Sequence, residues 1–373
     1  NVYFQKLIKM TEKIMPEWAE ENKKEFASFV MKGIIPEKNE RKKKINRKEL
    51  EVQDYVKGVR ERNVMLISKT ITLVESNNPH HIEITQQVLK ELLPFTGNSI
   101  RIGITGPPGA GKSTFIESFG NFLCNLSKRV AVLVIDPSST ITGGSILGDK
   151  TRMEILSRQE NAFIRPSPSA GTLGGVAKKT RETILICEAA GYDVILIETI
   201  GVGQSEITVR SMVDFFMLLL LPGSGDELQG IKKGVVEIAD CLVVNKADGN
   251  NKDRANMTKA AYSYAVHLLT QATSGWTTEV TTCSALNNDG IENIWQIINK
   301  FVDNTKQSGI FEQRRKEQLL DWMHSMLEEA LKTHFFSNIK VKSELPMLKN
   351  DILESKITPT TAVQILLNKA GLL

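Results

Sequence analysis

Apolar positions along the chain change their spacing twice. Up to residue 97 they recur at helical intervals, as in "MPEWAEENKKEFASFVMKGI" and "VRERNVMLISKTITLVESN". "SNNPHH" (76–81) reads as a turn, and Pro79 begins a further amphipathic stretch ending near "LLPFTGN". From residue 99 short continuous apolar runs alternate with helical stretches: "IRIGIT", "VAVLVID", "DVILIET", "DFFMLLLL", "CLVVNKAD" and "EVTTCSA". Such runs are strands buried on both faces. Their alternation with helices predicts an α/β domain whose mainly parallel sheet is covered by helices. Past residue 305 the spacing is helical again, beginning with "EQRRKEQLLDWMHSMLEEALKTHFF". The expected organisation is an N-terminal helical extension (1–97), an α/β domain (98–305) and a C-terminal helical region (306–373).

The first strand leads into chemistry. "IRIGITGPPGAGKSTF" (100–115) fits GxxxxGK[ST] between a strand and a helix, the context a phosphate-binding P-loop requires. Gly106, Pro107, Pro108, Gly109, Ala110 and Gly111 form the loop, whose glycines let backbone N–H groups curl around phosphate oxygens. The helix starting near Lys112 aims its positive dipole end at the anion, and Thr114 lies in its first turn. Lys112 is expected at the β- and γ-phosphates, and the Ser113 hydroxyl on Mg²⁺. The fold class is therefore a P-loop α/β domain with helical extensions at both ends.

Two later strand ends select the base. "CLVVNKAD" supplies Asn245, Lys246 and Asp248, which looks like the NKxD motif of GTPases. The Asp248 carboxylate would accept from guanine N1–H and the 2-amino group. Adenine offers neither, and an unpaired buried acceptor is costly. The Lys246 stem would cover the base. "TTCSALNNDG" supplies Ser284, Ala285 and Leu286, resembling the backbone loop that contacts guanine O6. GTP and GDP are the expected nucleotides.

Carboxylates at strand ends suit the metal. Asp136 ends "VAVLVID" and Glu198 ends "DVILIE", where ligands gather in parallel sheets. Glu198 and Gly201 look like a DxxG switch with glutamate in place of aspartate, so contact with the Mg²⁺ shell is direct or through water. Asp149, in "GGSILGDKTRM", is either a third carboxylate for this cation or an ordinary loop or helix-capping aspartate. Gln204 invites comparison with a water-positioning glutamine, although its register differs.

Composition narrows the class. A net charge of +4, without basic–aromatic interleaving, argues against nucleic acid as partner. The basic run "KNERKKKINRKE" reads as a solvated connection or helix face. The longest apolar run is far short of the roughly 20 residues that span a membrane, so no membrane association is expected. Cys124, Cys187, Cys241 and Cys283 are scattered without CxxC, so buried free thiols in a reducing compartment are expected. That compartment is the cytoplasm for a bacterial source or the mitochondrial matrix for a eukaryotic one. The opening "NVYFQ" resembles a remnant of a protease-tag site. His80 and His81 are adjacent, so on a helix they point about 100° apart, a poor arrangement for a metal.

Several segments together resemble one family. "GPPGAGKSTFIE", "IDPSS…GGSILGDKTRM", "RPSPSAGTLGGV", "GYDVILIETIGVGQSE" and "GDELQGIKKG" are similar to the MeaB/MMAA/ArgK group of P-loop GTPases. That resemblance implies a homodimeric G-protein chaperone of an adenosylcobalamin-dependent acyl-CoA mutase, typified by methylmalonyl-CoA mutase, with the helical extensions contributing to assembly and 306–373 as the dimerisation region. It implies that GTP binding and slow, partner-stimulated hydrolysis gate cofactor loading and protect or reactivate the mutase. No cobalamin site of the chain's own is identified. The resemblance places Lys112 and Ser113 at the phosphates, Asp136, Asp149 and Glu198 around Mg²⁺, and Asp248 on guanine. It places Lys232 in a third switch spanning 222–234, linked to stimulated hydrolysis. From its residues alone, "PGSGDELQGIKKG" reads either as a capped helix start with solvated lysines or as a mobile segment. A nickel-insertion GTPase of the maturation type and a small-molecule or protein kinase are the alternatives. The first would need a Cys/His cluster and the second a phospho-acceptor pocket, and the sequence displays neither.

Overall fold

In the computed structural model, residues 50–136, 153–168, 173–199, 205–223 and 233–373 are described. Their strands are β1 (Ile100–Thr105), β2 (Val130–Asp136), β3 (Ala162–Pro168), β4 (Val194–Thr199), β5 (Phe215–Leu220), β6 (Cys241–Val244) and β7 (Glu279–Thr282). They form a sheet in the order β3-β2-β4-β1-β5-β6-β7, with every neighbouring pair parallel. All six apolar runs lie in this sheet. The seventh strand, β3, is a correction to the sequence reading. Pro166 and Pro168 disguise it, because proline cannot donate to a ladder. Its place at the sheet's edge, paired to β2 alone, is where such a strand is tolerated.

Among the described residues, three α-helices precede the sheet: α1 (Val52–Arg60), α2 (Val64–Glu75) and α3 (Pro79–Leu92). Each starts where the chain supplies a cap. The Asn63 side chain accepts from the N–H groups of Met65 and Leu66, and Asn78 accepts from that of His80 with Pro79 in the first turn. His81 Nδ1 lies 2.8 Å from Ser76 Oγ, a local contact that occupies this ring nitrogen.

Between and after the strands run α4 (Lys112–Asn125), α5 (Leu173–Ala189), α6 (Ser205–Arg210), α7 (Lys233–Glu237), α8 (Lys252–His267) and α9 (Ile291–Gln307). The C-terminal helices are α10 (Ile310–Ser337), α11 (Ile339–Leu353) and α12 (Pro359–Ala370). Alternate residues of each central strand feed opposite faces. On β2, Ala131, Leu133 and Ile135 join one core with α1–α3, while Val130, Val132 and Val134 join another with α4 and α9. Among the described residues no helix is long and apolar enough to cross a membrane.

The start of α10 is fastened to the N-terminal ends of the strands. Arg315 grips Asp214, just before β5, through Nε–Oδ1 (2.7 Å) and Nη2–Oδ2 (2.6 Å). Asp214 also accepts from the Arg101 N–H on β1 at 2.8 Å. Asp240, just before β6, pairs with Arg210 at 3.0 Å and accepts from the Phe216 N–H at 2.9 Å. Buried ion pairs of this kind hold geometry, and removing one partner strands a charge. This anchorage leaves the opposite, C-terminal edge of the sheet to the P-loop.

Candidate nucleotide-binding site

The loop between β1 and α4 has the backbone its glycines permit. Gly106 has φ +154°, and a Cβ there would come within 2.5 Å of Leu219 O on β5. Gly111, at φ +84°, leads directly into α4, and a Cβ on it would lie 2.8 Å from Asn245 Nδ2. Both positions need glycine for conformation and for space. The free N–H groups of the first turn of α4 thus open towards the loop.

Lys112 folds over that loop, its Nζ donating to Gly106 O at 2.8 Å and Pro107 O at 3.3 Å. Burial lowers its pKa, while the charges of Glu198 and Glu206 pull the other way. Glu206 was not singled out by sequence reasoning. It is 1% exposed, in the first turn of α6. The available signal was an acidic residue opening a helix right after "GVGQS".

Glu198 ends β4 and is 3% exposed. Ser113 Oγ donates to its Oε1 at 3.2 Å, so the hydroxyl and carboxylate predicted for the metal are neighbours. Two oxygens at that separation suit adjacent ligands of an octahedral cation with bonds of about 2.0–2.1 Å. Asp136 ends β2, the neighbour of β4, where Val134 pairs with Glu198. Its backbone is at the same edge of the sheet. The Asp136 side chain and all of Asp149, Gly201, Gln204 and Lys232 lie outside the described residues, as does most of 222–234.

Beneath these groups, the Thr199 hydroxyl donates to that of Thr105 at 2.8 Å. This link between the ends of β4 and β1 was also missed, because nothing in the sequence pairs those two positions.

The base-selecting motifs meet on the other side of the loop. Asn245, 1% exposed, donates from Nδ2 to Ala110 O at 2.9 Å and accepts at Oδ1 from the Ala285 N–H at 3.1 Å. Its side chain ties the P-loop to the 284–286 loop. Ser284 Oγ donates to Asp248 Oδ2 at 2.6 Å and accepts from the Asn287 N–H at 3.2 Å. The carboxylate is thereby oriented, and Asp248 is half-buried. Lys246 is exposed at φ +60°, and its Cε lies 3.8 Å from the place of a Cβ on Gly111. Its stem therefore runs beside the P-loop's end. Leu286 is 76% exposed, so only its backbone suits the predicted role.

Comparison with known proteins identifies the family. Residues 67–340 match the family described as "Methylmalonyl Co-A mutase-associated GTPase MeaB". The chain is 47% identical to GTPase ArgK of Escherichia coli K12, over 78% of this chain and 88% of that protein. It is 43% identical to the mouse "Methylmalonic aciduria type A homolog, mitochondrial", over 81% of this chain and 75% of that protein. A crystal structure named LAO/AO transport system kinase superposes with a TM-score of 0.70 at 37% identity, covering 84% of this chain and 96% of that one. The chain belongs to the MeaB family of methylmalonyl-CoA mutase-associated GTPases, and its reaction is the hydrolysis of GTP to GDP and phosphate.

Proposed function

We propose that this GTPase is a chaperone of an adenosylcobalamin-dependent acyl-CoA mutase, with methylmalonyl-CoA mutase the first candidate. GTP binding and hydrolysis gate delivery of the cofactor to the mutase and protect or reactivate it. The observation that carries the nucleotide half is the geometry around Asn245, which joins the phosphate loop to the guanine motif through a single buried side chain. The partner half rests on family membership and on the name of the family.

In this reading the backbone of residues 106–111 and the Lys112 ammonium hold the β- and γ-phosphates. Ser113 and Glu198 hold Mg²⁺ with Asp136 and Asp149, and Asp248 selects guanine with Ser284 as its orienting partner. A hard divalent cation, when bound, neutralises developing charge on the phosphate oxygens. The chain's own work is to position the phosphates and exclude misalignment. Lys232 is assigned to partner-stimulated hydrolysis and Gln204 to the attacking water.

We assign assembly to a homodimer through the C-terminal helices. On α10, Leu320, Met323, Leu327 and Leu331 recur every three or four residues and are 49–59% exposed. A stripe of that spacing is suited to another helix face. The expected setting is bacterial cytoplasm or mitochondrial matrix. The test is recovery of a cobalamin enzyme by this chain from its native source, with GDP or a non-hydrolysable GTP analogue present. Nucleotide-dependent recovery of a mutase supports the reading, and recovery of no cobalamin enzyme in either state contradicts it.

A further inference from the structure

Under the start of α10, at the end of the sheet away from the P-loop, lies a small cleft of about 30 Å³. Its polar lining includes Arg101, Arg181, Arg315, Gln318 and Trp322, and aliphatic side chains close the rest. Two of the three guanidiniums are neutralised, Arg101 by Glu188 at 2.8 Å and Arg315 by Asp214 at 2.6 Å. Arg181 is different. It is 9% exposed, and among the described residues no carboxylate lies within ion-pair distance of it. Its Nη1 donates to Gln318 O at 3.0 Å and its Nη2 to Ser211 O at 3.0 Å and Ser211 Oγ at 2.6 Å, all neutral acceptors.

Three further polar atoms at this place are buried and, among the described residues, have no hydrogen-bond partner: Arg181 Nε, Trp322 Nε1 and Gln318 Oε1. Gln318 is 8% exposed, and its Nε2 donates to Val213 O at 2.8 Å, which fixes the direction of the carbonyl oxygen. Buried polar groups are normally satisfied, and a buried cation normally has a counter-ion. Three orphaned atoms at one guanidinium without an ion-pair partner among the described residues are therefore a specific chemical demand. Two N–H donors on a positive site call for the oxygens of an anion. The lone carbonyl acceptor calls for a hydrogen carried by that same ligand. Halides carry no donor, and neither does an ionised carboxylate.

We propose that this cleft binds a small protonated oxyanion, hydrogencarbonate or hydrogen phosphate. The ligand's oxygens accept from Arg181 Nε and Trp322 Nε1, and its O–H donates to Gln318 Oε1. Burial, partly opposed by Asp321 and reinforced by Arg101, lowers the Arg181 pKa to about 10, the direction expected for a cation short of negative charge. The half-buried Trp322 ring, 5.6 Å from the Arg181 guanidinium, is the side chain that moves to admit it. Arg181 belongs to α5, Gln318 to α10, and Ser211 directly follows α6. The bound anion would thus clamp the C-terminal helix to the segment that begins at Glu206 beside Lys112.

The test is calorimetric titration of the full chain carrying Lys112→Ala, which weakens anion binding at the P-loop. Hydrogencarbonate and phosphate are titrated separately at constant ionic strength, with chloride as reference. One saturable site is expected for one or both oxyanions and none for chloride, and the anion that saturates identifies the ligand. Adding Trp322→Phe, which keeps the ring and removes the N–H, should weaken binding about tenfold, the effect of one hydrogen bond to a charged group. Arg181→Lys should weaken it at least as much. Absence of a saturable site for either oxyanion overturns the proposal, and so does binding unchanged by Trp322→Phe.

Discussion

The hydroxyls of Thr199 and Thr105 are hydrogen-bonded at 2.8 Å inside the sheet, one residue after Glu198 and one before Gly106. Both threonines are at most 1% exposed. Each supports the other at the point where a strand gives way to functional backbone. Thr199→Val leaves the Thr105 hydroxyl unpaired, so it should cost about 1–3 kcal/mol in denaturant unfolding. Thr199→Ser should recover most of that. In the double variant with Thr105→Val the losses should fall short of their sum, because the second substitution removes the stranded group.

Base selection should follow the Asp248 carboxylate. Asp248→Asn replaces an acceptor pair by one acceptor and one amide donor, which guanine's 2-amino group opposes. GTP affinity should fall by at least about 100-fold, as sites built on buried hydrogen bonds discriminate strongly. Xanthosine triphosphate, whose 2-oxo group accepts from that amide, should bind the variant better than GTP does. Fluorescent-nucleotide competition reads both effects.

The loop glycines should resist the smallest enlargement. Gly106→Ala places a methyl 2.5 Å from Leu219 O, a backbone atom of the neighbouring strand, at φ +154°. Gly111→Ala meets Asn245 Nδ2 at 2.8 Å and disturbs the link to Ala110. Both should abolish measurable GTP binding, whereas Gly109→Ala, with open space around its Cβ position, has only its φ of +80° to oppose it. Its loss should be smaller.

Stability should decline on the alkaline side. All four thiols are buried, and burial raises their pKa values, with Cys283 pushed from the ordinary 9.0 up to about 12. A pKa raised in the folded state favours folding while the pH is below the unfolded value and loses that contribution as pH climbs towards the folded one. Unfolding free energy should therefore fall from about pH 9 upward. In the native protein at pH 8, iodoacetamide should label these cysteines only after denaturation.

The nucleotide site was legible in the sequence because each motif is local. GxxxxGK[ST], NKAD and SAL all place their residues within one strand–loop unit, and the sheet then brings the units together. Links across the sheet were not legible. Thr105–Thr199, Asn245–Ala110 and Ser284–Asp248 join residues 36 to 135 positions apart, and no spacing rule reaches so far. Strand β3 was hidden by its prolines. Helical spacing past residue 305 gave no sign that Arg314 and Arg315 are the clamps on Asp214 and its neighbours. Helical periodicity says which face is apolar but not which charged face is buried under a sheet.

Coupling of this nucleotide site to a mutase is read by single-turnover GTP hydrolysis with and without a purified adenosylcobalamin-dependent acyl-CoA mutase. Hydrolysis should be slow for the protein alone and clearly faster with the mutase. Lys232→Ala should remove the acceleration while leaving GTP affinity nearly unchanged. Hydrolysis indifferent to the methylmalonyl-CoA mutase and to related mutases, with no nucleotide-dependent complex formed, would contradict it.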